Sequence, residues 1–366
     1  MESTMTNDER FMARALELAG RGRYTVSPNP MVGCVIVRDD RIIAEAHHER
    51  AGDPHAEVLA IRAAGESVAG ATAYVSLEPC SHEGRTPPCA DALIEAGIRR
   101  VVVATHDPNP DVHGTGLARM RSAGIEVVEG VMAEAATRLN ERFFWSVSRR
   151  RPFVLLKAGM SLDGKLATIE GSSRWITSSE SRGRSLALRE EYDAIMVGAG
   201  TVAVDNPQLT RRLGWNRSII PWTRVVVDSK GDVPRDAALF SDEAKTILYT
   251  RVPDQYEGVR AEVVACEGNE EKLDLGAVLT DLDRRGIRSL IVEGGGRLIT
   301  GFVRQELWQK MILFIAPMLI GGSSAPAIFM DDSIRELTHA VRFRFDEIER
   351  LSDDLVVTAY PLDQRD

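Results

Sequence analysis

His55-Ala56-Glu57, followed by Pro79-Cys80 and Pro87-Pro88-Cys89, is the stretch on which the reading of this 366-residue chain turns. One imidazole and two thiolates give zinc three protein ligands and leave a fourth position open for water, which separates a catalytic site from a closed structural one. Bound zinc lowers the pKa of its water to about 7. Glu57 stands two residues from His55 and can face such a site without being a ligand, taking a proton from the water and returning it to a leaving amine. Pro54 and Pro88 each sit where a helix can begin, so His55 and Cys89 fall near helix N-termini, while Cys80 follows a strand and opens a turn. Positive helix ends and a metal both favour the thiolate.

Around these residues the periodicity alternates between helix and strand. Helix-period segments at 9–19 (capped by Asn7 or Asp8), 55–64, 90–96, 117–123 and 133–144 are interleaved with strands at 32–38, 42–46, 73–77, 100–104 and 126–128. The first two strands flank Asp39-Asp40 as a hairpin. This is the pattern of a layered α/β sandwich. The run Arg149-Arg150-Arg151-Pro152 interrupts it, because proline disfavours helix at the residue before it, and divides the chain into domains 1–150 and 151–366. The second half restarts with a strand at 153–158, a helix at 181–190 and strands at 194–197, 224–228 and 246–249. It continues with a helix at 273–285, a strand at 289–292, a helix at 298–305 and a strand at 310–315, a second α/β unit.

Composition narrows the function classes. With 44% apolar and 27% charged residues the chain is an ordinary soluble globular protein, neither disordered nor fibrous, and its length suits two domains. Acids outnumber bases 54 to 45, a formal charge of −9. Residues 1–150 hold 17 Arg, no Lys and 21 acids, a balance of −4, which argues against a nucleic-acid partner. The longest apolar stretch, 311–320, is too short to span a membrane and contains Pro317; the N-terminus shows no signal-peptide pattern. Four cysteines make no disulfide scaffold and point to the cytoplasm, and we expect a homo-oligomer. Six of the seven histidines fall between His47 and His113 and three of the four cysteines between Cys34 and Cys89, so metal and proton chemistry is concentrated in the first third. Cys34, inside an apolar strand, reads as core.

His-x-Glu with Pro-Cys is the pattern of zinc deaminases, in which hydroxide attacks an amino-bearing ring carbon. Nucleoside and tRNA deaminases place two residues between their cysteines, whereas eight separate Cys80 from Cys89. Ser27-Pro-Asn-Pro-Met-Val-Gly33, His55-Ala-Glu57 and Pro79-Cys-Ser-His-Glu-Gly-Arg-Thr-Pro-Pro-Cys89 resemble the deaminase half of the bifunctional riboflavin-biosynthesis deaminase/reductase, for which the long loop is characteristic. The resemblance implies a cytidine-deaminase-like α/β/α sandwich with zinc at His55, Cys80 and Cys89, Glu57 as proton shuttle, and substrate contacts at Asn29, His48 and Arg85. Many members carry Lys at the Arg85 position. Asn29 also reads as a turn residue between two prolines, and His48 as one of an exposed pair with His47.

In the second half, Val197-Gly198-Ala-Gly-Thr201 and Val292-Glu-Gly-Gly-Gly296 follow apolar strands, and the latter leads into a helix, where backbone amides can meet a phosphate. Neither fits Gly-x-Gly-x-x-Gly, so a Rossmann assignment lacks support. Lys157, Ser161-Leu-Asp-Gly164, Ser173-Arg-Trp-Ile-Thr177, Gly198-Ala-Gly-Thr201, Asp205-Asn-Pro207, Leu209-Thr-Arg-Arg212 and Glu293-Gly-Gly-Gly296 resemble the reductase half of the same family. That resemblance implies a dihydrofolate-reductase-like domain using NADPH, with Gly159, Trp175, Thr201, Asp205, Gly294, Gly295, Gly296 and Arg297 at the cofactor and Lys157, Ser173, Arg189, Leu209, Arg212 and Glu293 at the substrate. Arg189 and Arg212 can offer forked donors to a phosphate monoester. Lys157 and Asp205 can handle protons during hydride transfer.

The resemblance thus implies an enzyme that deaminates the phosphorylated pyrimidine 2,5-diamino-6-ribosylamino-4(3H)-pyrimidinone 5′-phosphate and reduces its ribosyl group to ribityl, giving 5-amino-6-ribitylamino-uracil 5′-phosphate. Two competing readings stand beside this: a tRNA or nucleoside deaminase with an unrelated C-terminal domain, and a structural-zinc module with His82 as fourth ligand.

Overall fold

Thr6 opens the first helix with a capping box: its hydroxyl accepts from Glu9 N at 3.2 Å while the Glu9 carboxylate accepts from Thr6 N at 2.7 Å. The computed structural model describes residues 5–81, 87–110, 112–241, 243–268 and 272–362. The chain divides into two compact units, Met1–Arg150 with Trp215–Ile220, and Arg151–Gly214 with Pro221–Asp366. The short segment 215–220 is thus a part of the first unit that the boundary at Arg151 did not foresee.

In the first unit, α1 (Asn7–Ala19), β1 (Gly33–Arg38), β2 (Arg41–His47), α2 (Ala56–Ala64), β3 (Thr72–Val75), α3 (Cys89–Glu95), β4 (Arg100–Val103), α4 (Thr115–Ser122), β5 (Glu126–Glu129), α5 (Ala133–Leu139) and α6 (Glu141–Arg149) follow in order. The sheet runs β2-β1-β3-β4-β5. Its hairpin turns at Asp39 and Asp40, both at positive φ, and β3, β4 and β5 are parallel. Alternate residues feed two cores. Val35, Val37, Tyr74 and Val102 pack with Phe11, Met12 and Ala15 of α1, while Cys34, Ile36, Val75, Val101 and Val103 pack with Ala60, Leu93, Leu117 and Met120 of α2, α3 and α4. Cys34 is therefore core, as its strand position predicts. The single helix expected at 133–144 is two, because the buried Asn140 leaves helical geometry and turns its amide onto Met31.

The second unit contains β6 (Phe153–Ser161), α7 (Ser179–Glu191), β7 (Ala194–Gly198), α8 (Ala199–Asp205), β8 (Thr223–Asp228), β9 (Lys245–Thr250), β10 (Glu262–Ala265), α9 (Leu275–Arg284), β11 (Ser289–Val292), α10 (Gly296–Arg304), β12 (Lys310–Ala316), β13 (Phe343–Leu351) and β14 (Asp354–Pro361). Sheet order is β10-β9-β8-β7-β11-β6-β12-β14-β13, parallel from β10 to β12, with the hairpin β13–β14 antiparallel at one edge. Val278, Leu279 and Leu282 of α9 and Ile299, Phe302 and Val303 of α10 cover one face, over Val154, Leu156, Met196, Val225 and Leu290. The periodicity left α8, β10 and the β13–β14 hairpin unassigned. In β13 a bulge between Phe345 and Glu347 breaks the period of two. No helix among the described residues is long and apolar enough to cross a membrane.

Candidate active sites

The first site gathers at the starts of two helices. His55 is the N-cap of α2, and Cys89 is the first residue of α3 after Pro88. His55 Nδ1 lies 3.2 Å from Cys89 Sγ and 3.6 Å from Cys80 Sγ, and the three donor atoms all fall within 4.8 Å of one another. This is the one group of at least three metal-capable side chains among the described residues. An imidazole and two sulfurs converging, with no fourth donor beside them among the described residues, fit a zinc with an open position. The two thiols shift in opposite directions: a hydrogen bond from the Cys89 thiol, together with His55 and the Cys89 N–H, lowers the pKa of Cys80, while its neighbour and burial push Cys89 up. The bond to Cys80 raises the pKa of His55.

Glu57, in the first turn of α2, is 3% exposed, and its Oε2 has no hydrogen-bond partner among the described residues. Burial pushes its carboxyl up to about 7, His55 working against the rise. Beside it, Asn29 Nδ2 lies 3.1 Å from His48 Nε2, and His48 Nδ1 lies 3.3 Å from Pro54 O. A carbonyl can only accept, so Nδ1 carries the proton and Nε2 accepts from Asn29, which leaves Asn29 Oδ1 as an acceptor without a partner among the described residues. His48 is 2% exposed, so the reading of an exposed pair with His47 is corrected: its ring packs edge-on against His55, centroids 5.3 Å apart, and burial lowers its pKa. Arg85 and His82 lie outside the described residues.

Two supports escaped the sequence reading. Glu78, the residue before Pro79-Cys80, is buried and accepts from the backbone N–H groups of Asp107, Gly114 and Gly116 at 3.3, 3.0 and 3.2 Å. Asn140 Oδ1 accepts from Met31 N and its Nδ2 donates to Met31 O, both at 2.8 Å, fixing the loop that carries Asn29. The Glu-Pro-Cys order was the available signal for the first; the second joins residues far apart in sequence and had none.

The second unit brings Lys157 on β6, Arg189 on α7 and Glu293 after β11 together. Arg189 Nε and Nη2 donate to Glu293 Oε1 and Oε2 at 2.9 and 2.8 Å, and Lys157 Nζ lies 3.8 Å from Oε2. Burial opposes the charge on Glu293, but Lys157 and Arg189 outweigh it and hold the carboxyl at about 2; burial lowers the pKa of Lys157. Arg189, expected to offer its fork to a phosphate, thus gives it to Glu293. Arg212 is exposed and has no hydrogen-bond or ion-pair partner among the described residues.

The glycine segments open two helices from neighbouring strands: Gly198 caps α8 after β7, and Gly295 caps α10 after β11. A Cβ on Gly295 would stand 3.8 Å from Thr201 Oγ1, whereas one on Gly296 would strike Ala327 O at 1.8 Å, so Gly296 is required for chain packing. These adjacent helix starts, with Thr201 between them, fit the phosphates of a dinucleotide. Gly159 backs onto Thr177, Asp205 ends α8, and Arg297 projects from α10 into solvent. Trp175 is 67% exposed beneath the Arg182 guanidinium; Ser173 is half-buried. Leu209 is buried with φ 54°.

Residues 5–105 match the cytidine and deoxycytidylate deaminase zinc-binding region, and residues 152–357 match the RibD C-terminal domain. Fold and site define a zinc-type deaminase domain joined to a dihydrofolate-reductase-like domain. The chain is 42% identical to the riboflavin biosynthesis protein RibD of Aquifex aeolicus, over 96% of this chain and 97% of that one. It is 41% identical to RibD of Escherichia coli, over 95% and 98%. Its structure matches Acinetobacter baumannii RibD with TM-score 0.88 at 37% identity, covering 98% of this chain and 99% of that one. It also matches the diaminohydroxyphosphoribosylaminopyrimidine deaminase/5-amino-6-(5-phosphoribosylamino)uracil reductase of Thermotoga maritima, with TM-score 0.85 at 38% identity over 97% and 99%. The chain belongs to the RibD family of riboflavin biosynthesis proteins.

Proposed function

We propose that the chain carries out two consecutive steps of riboflavin biosynthesis, hydrolytic deamination and then NADPH-dependent reduction, and that His55, Cys80, Cys89 and Glu57 perform the first. The observation that carries this is Glu57 Oε2, a buried carboxylate oxygen without a partner among the described residues, beside three donor atoms suited to a catalytic zinc. When bound, zinc supplies the Lewis acidity that makes water a nucleophile near neutral pH. Glu57 moves the proton. With a pKa of about 7 it accepts at Oε2 the proton of the attacking water and passes it to the departing amine. Asn29, held by His48, presents Oδ1 to a ring N–H or amino group, and Arg85 supplies charge to the substrate's anionic end. The substrate is the 5′-phosphate of 2,5-diamino-6-ribosylamino-4(3H)-pyrimidinone, whose 2-amino group leaves as ammonia. Glu57→Ala keeps zinc and fold and loses ammonia release; undiminished release by that variant overturns the assignment.

In the second unit NADPH, when bound, supplies a hydride to the sugar carbon. Gly159, Trp175, Thr201, Asp205, Gly294, Gly295, Gly296 and Arg297 hold the cofactor, and Lys157, Ser173, Arg189, Leu209, Arg212 and Glu293 face the substrate. Lys157 is the proton donor to the sugar oxygen: it is half-buried, desolvation depresses its pKa, and Glu293 orients its ammonium. Arg212, exposed and without a partner among the described residues, meets the phosphate. Arg212→Ala should weaken binding of the phosphorylated intermediate, and unchanged affinity removes the assignment. Four free cysteines suit a reducing cytoplasm. We expect a homo-oligomer, because the outermost strand β13 leaves Phe345 and Ile348 61% and 59% exposed on a sheet edge; native mass in solution tests this.

A further inference from the structure

Between α8 and β8 three successive carbonyls are each held by a different side chain. Arg224 Nη1 donates to Gln208 O at 3.2 Å, Trp222 Nε1 to Leu209 O at 2.8 Å and Arg189 Nη1 to Thr210 O at 3.3 Å. The middle residue, Leu209, sits in the left-handed region at φ 54°, where a branched side chain needs such outside support.

The next two residues point opposite ways. Arg211 is half-buried: its Nε donates to Arg189 O at 3.0 Å, its Nη2 to Tyr192 O, and its guanidinium stacks 4.4 Å from the Trp222 ring centroid. Leu213 N then closes onto the buried Glu190 carboxylate at 3.0 Å. Arg212, between these anchors, is the exposed guanidinium. No side chain among the described residues restrains it, so its aim is set by the backbone that Trp222, Arg211 and Arg224 hold. Fixing that backbone in advance removes part of the ordering that binding would otherwise require.

We propose that Trp222 and Arg211 are positioning residues for the reductase step, which hold residues 208–212 so that Arg212 reaches the substrate phosphate and the enzyme prefers the phosphorylated intermediate. The proposal rests on the reading that Arg212 binds that phosphate. Trp222→Phe keeps a ring for Arg211 to stack on and deletes only the Nε1–H donor.

The full-length protein is assayed for NADPH oxidation with 5-amino-6-(5-phosphoribosylamino)uracil and with its dephosphorylated form. Trp222→Phe raises KM for the phosphorylated substrate about 3- to 10-fold, the range of one net hydrogen bond, with kcat near wild type and the dephosphorylated substrate unmoved. Arg211→Lys, which keeps the charge and loses the fork, moves the same ratio and supplies a second probe if Trp222→Phe loses NADPH affinity. In the Arg212→Ala background Trp222→Phe has no further effect. Equal loss on both substrates, or additive loss in the double variant, overturns the positioning role while Arg212 keeps its own. If Arg212→Ala fails to discriminate between the two substrates, the phosphate reading falls and this proposal with it.

Discussion

Glu293 and Arg189 close a two-point ion pair, 2.9 and 2.8 Å, with both side chains nearly out of water at 12% and 13% exposure. A buried pair of this kind contributes less than it costs to break, because removing one partner strands the other charge. Arg189→Met leaves Glu293 facing Lys157 alone, at 3.8 Å. We expect a loss of about 3–5 kcal/mol in the stability of the second unit, read from denaturant unfolding. A loss below about 1 kcal/mol would place the pair among surface ion pairs.

The same carboxylate makes stability depend on pH. Glu293 titrates at about 2 in the folded chain, since Lys157 and Arg189 outweigh the upward push of burial. In the unfolded chain it titrates near about 4.3. A depressed folded pKa contributes stability that is fully present above the unfolded value and is lost as pH falls through the folded one. The stability gap between wild type and Glu293→Gln should therefore hold steady from neutrality to about pH 5 and shrink between about pH 4 and 2. Melting midpoints across that range check it; a gap that widens on acidification contradicts the ion pair.

Asn140 tests the support of the first site. Its two bonds to the Met31 backbone are buried, and neither Met31 group would find water after Asn140→Ala. The loss should be about 1–3 kcal/mol for the stranded groups. Because the loop carries Asn29, KM for deamination should rise while zinc content stays at wild type. Unchanged KM would separate Asn140 from substrate binding and leave it a purely structural residue.

What the sequence disclosed follows the range of the interactions involved. The helix–strand alternation, the Asp39-Asp40 hairpin and the convergence of His55, Cys80 and Cys89 rest on local periodicity and on residue types with narrow chemistry. Asn140 interrupts a helix for the sake of Met31, and Arg189 spends its fork on Glu293; neither partner lies near in sequence, so neither pairing leaves a local mark. The same holds for Trp222 and Arg211, whose apolar and basic side chains look like core filler and a surface charge until the carbonyls they meet are known. Glu78 is intermediate, adjacent to a metal-capable cysteine yet defined by amides from a later loop.

The start of α4 offers the sharpest separation of the two activities. Gly116 N donates to Glu78 Oε1 at 3.2 Å, and a Cβ at this glycine would stand 2.1 Å from Pro79 O. Backbone cannot yield that much without moving its neighbour, and the neighbour is Cys80. Gly116→Ala should therefore lower bound zinc and ammonia release together, whereas Glu57→Ala loses release with zinc retained. The second unit has its own core, so reduction of separately supplied deaminated intermediate should continue in Gly116→Ala. Zinc content, ammonia and NADPH oxidation measured on one preparation decide the matter. Full zinc with full deamination would show that the Pro79-Cys80 turn tolerates the displacement and that Glu78 does not govern the ligand's place.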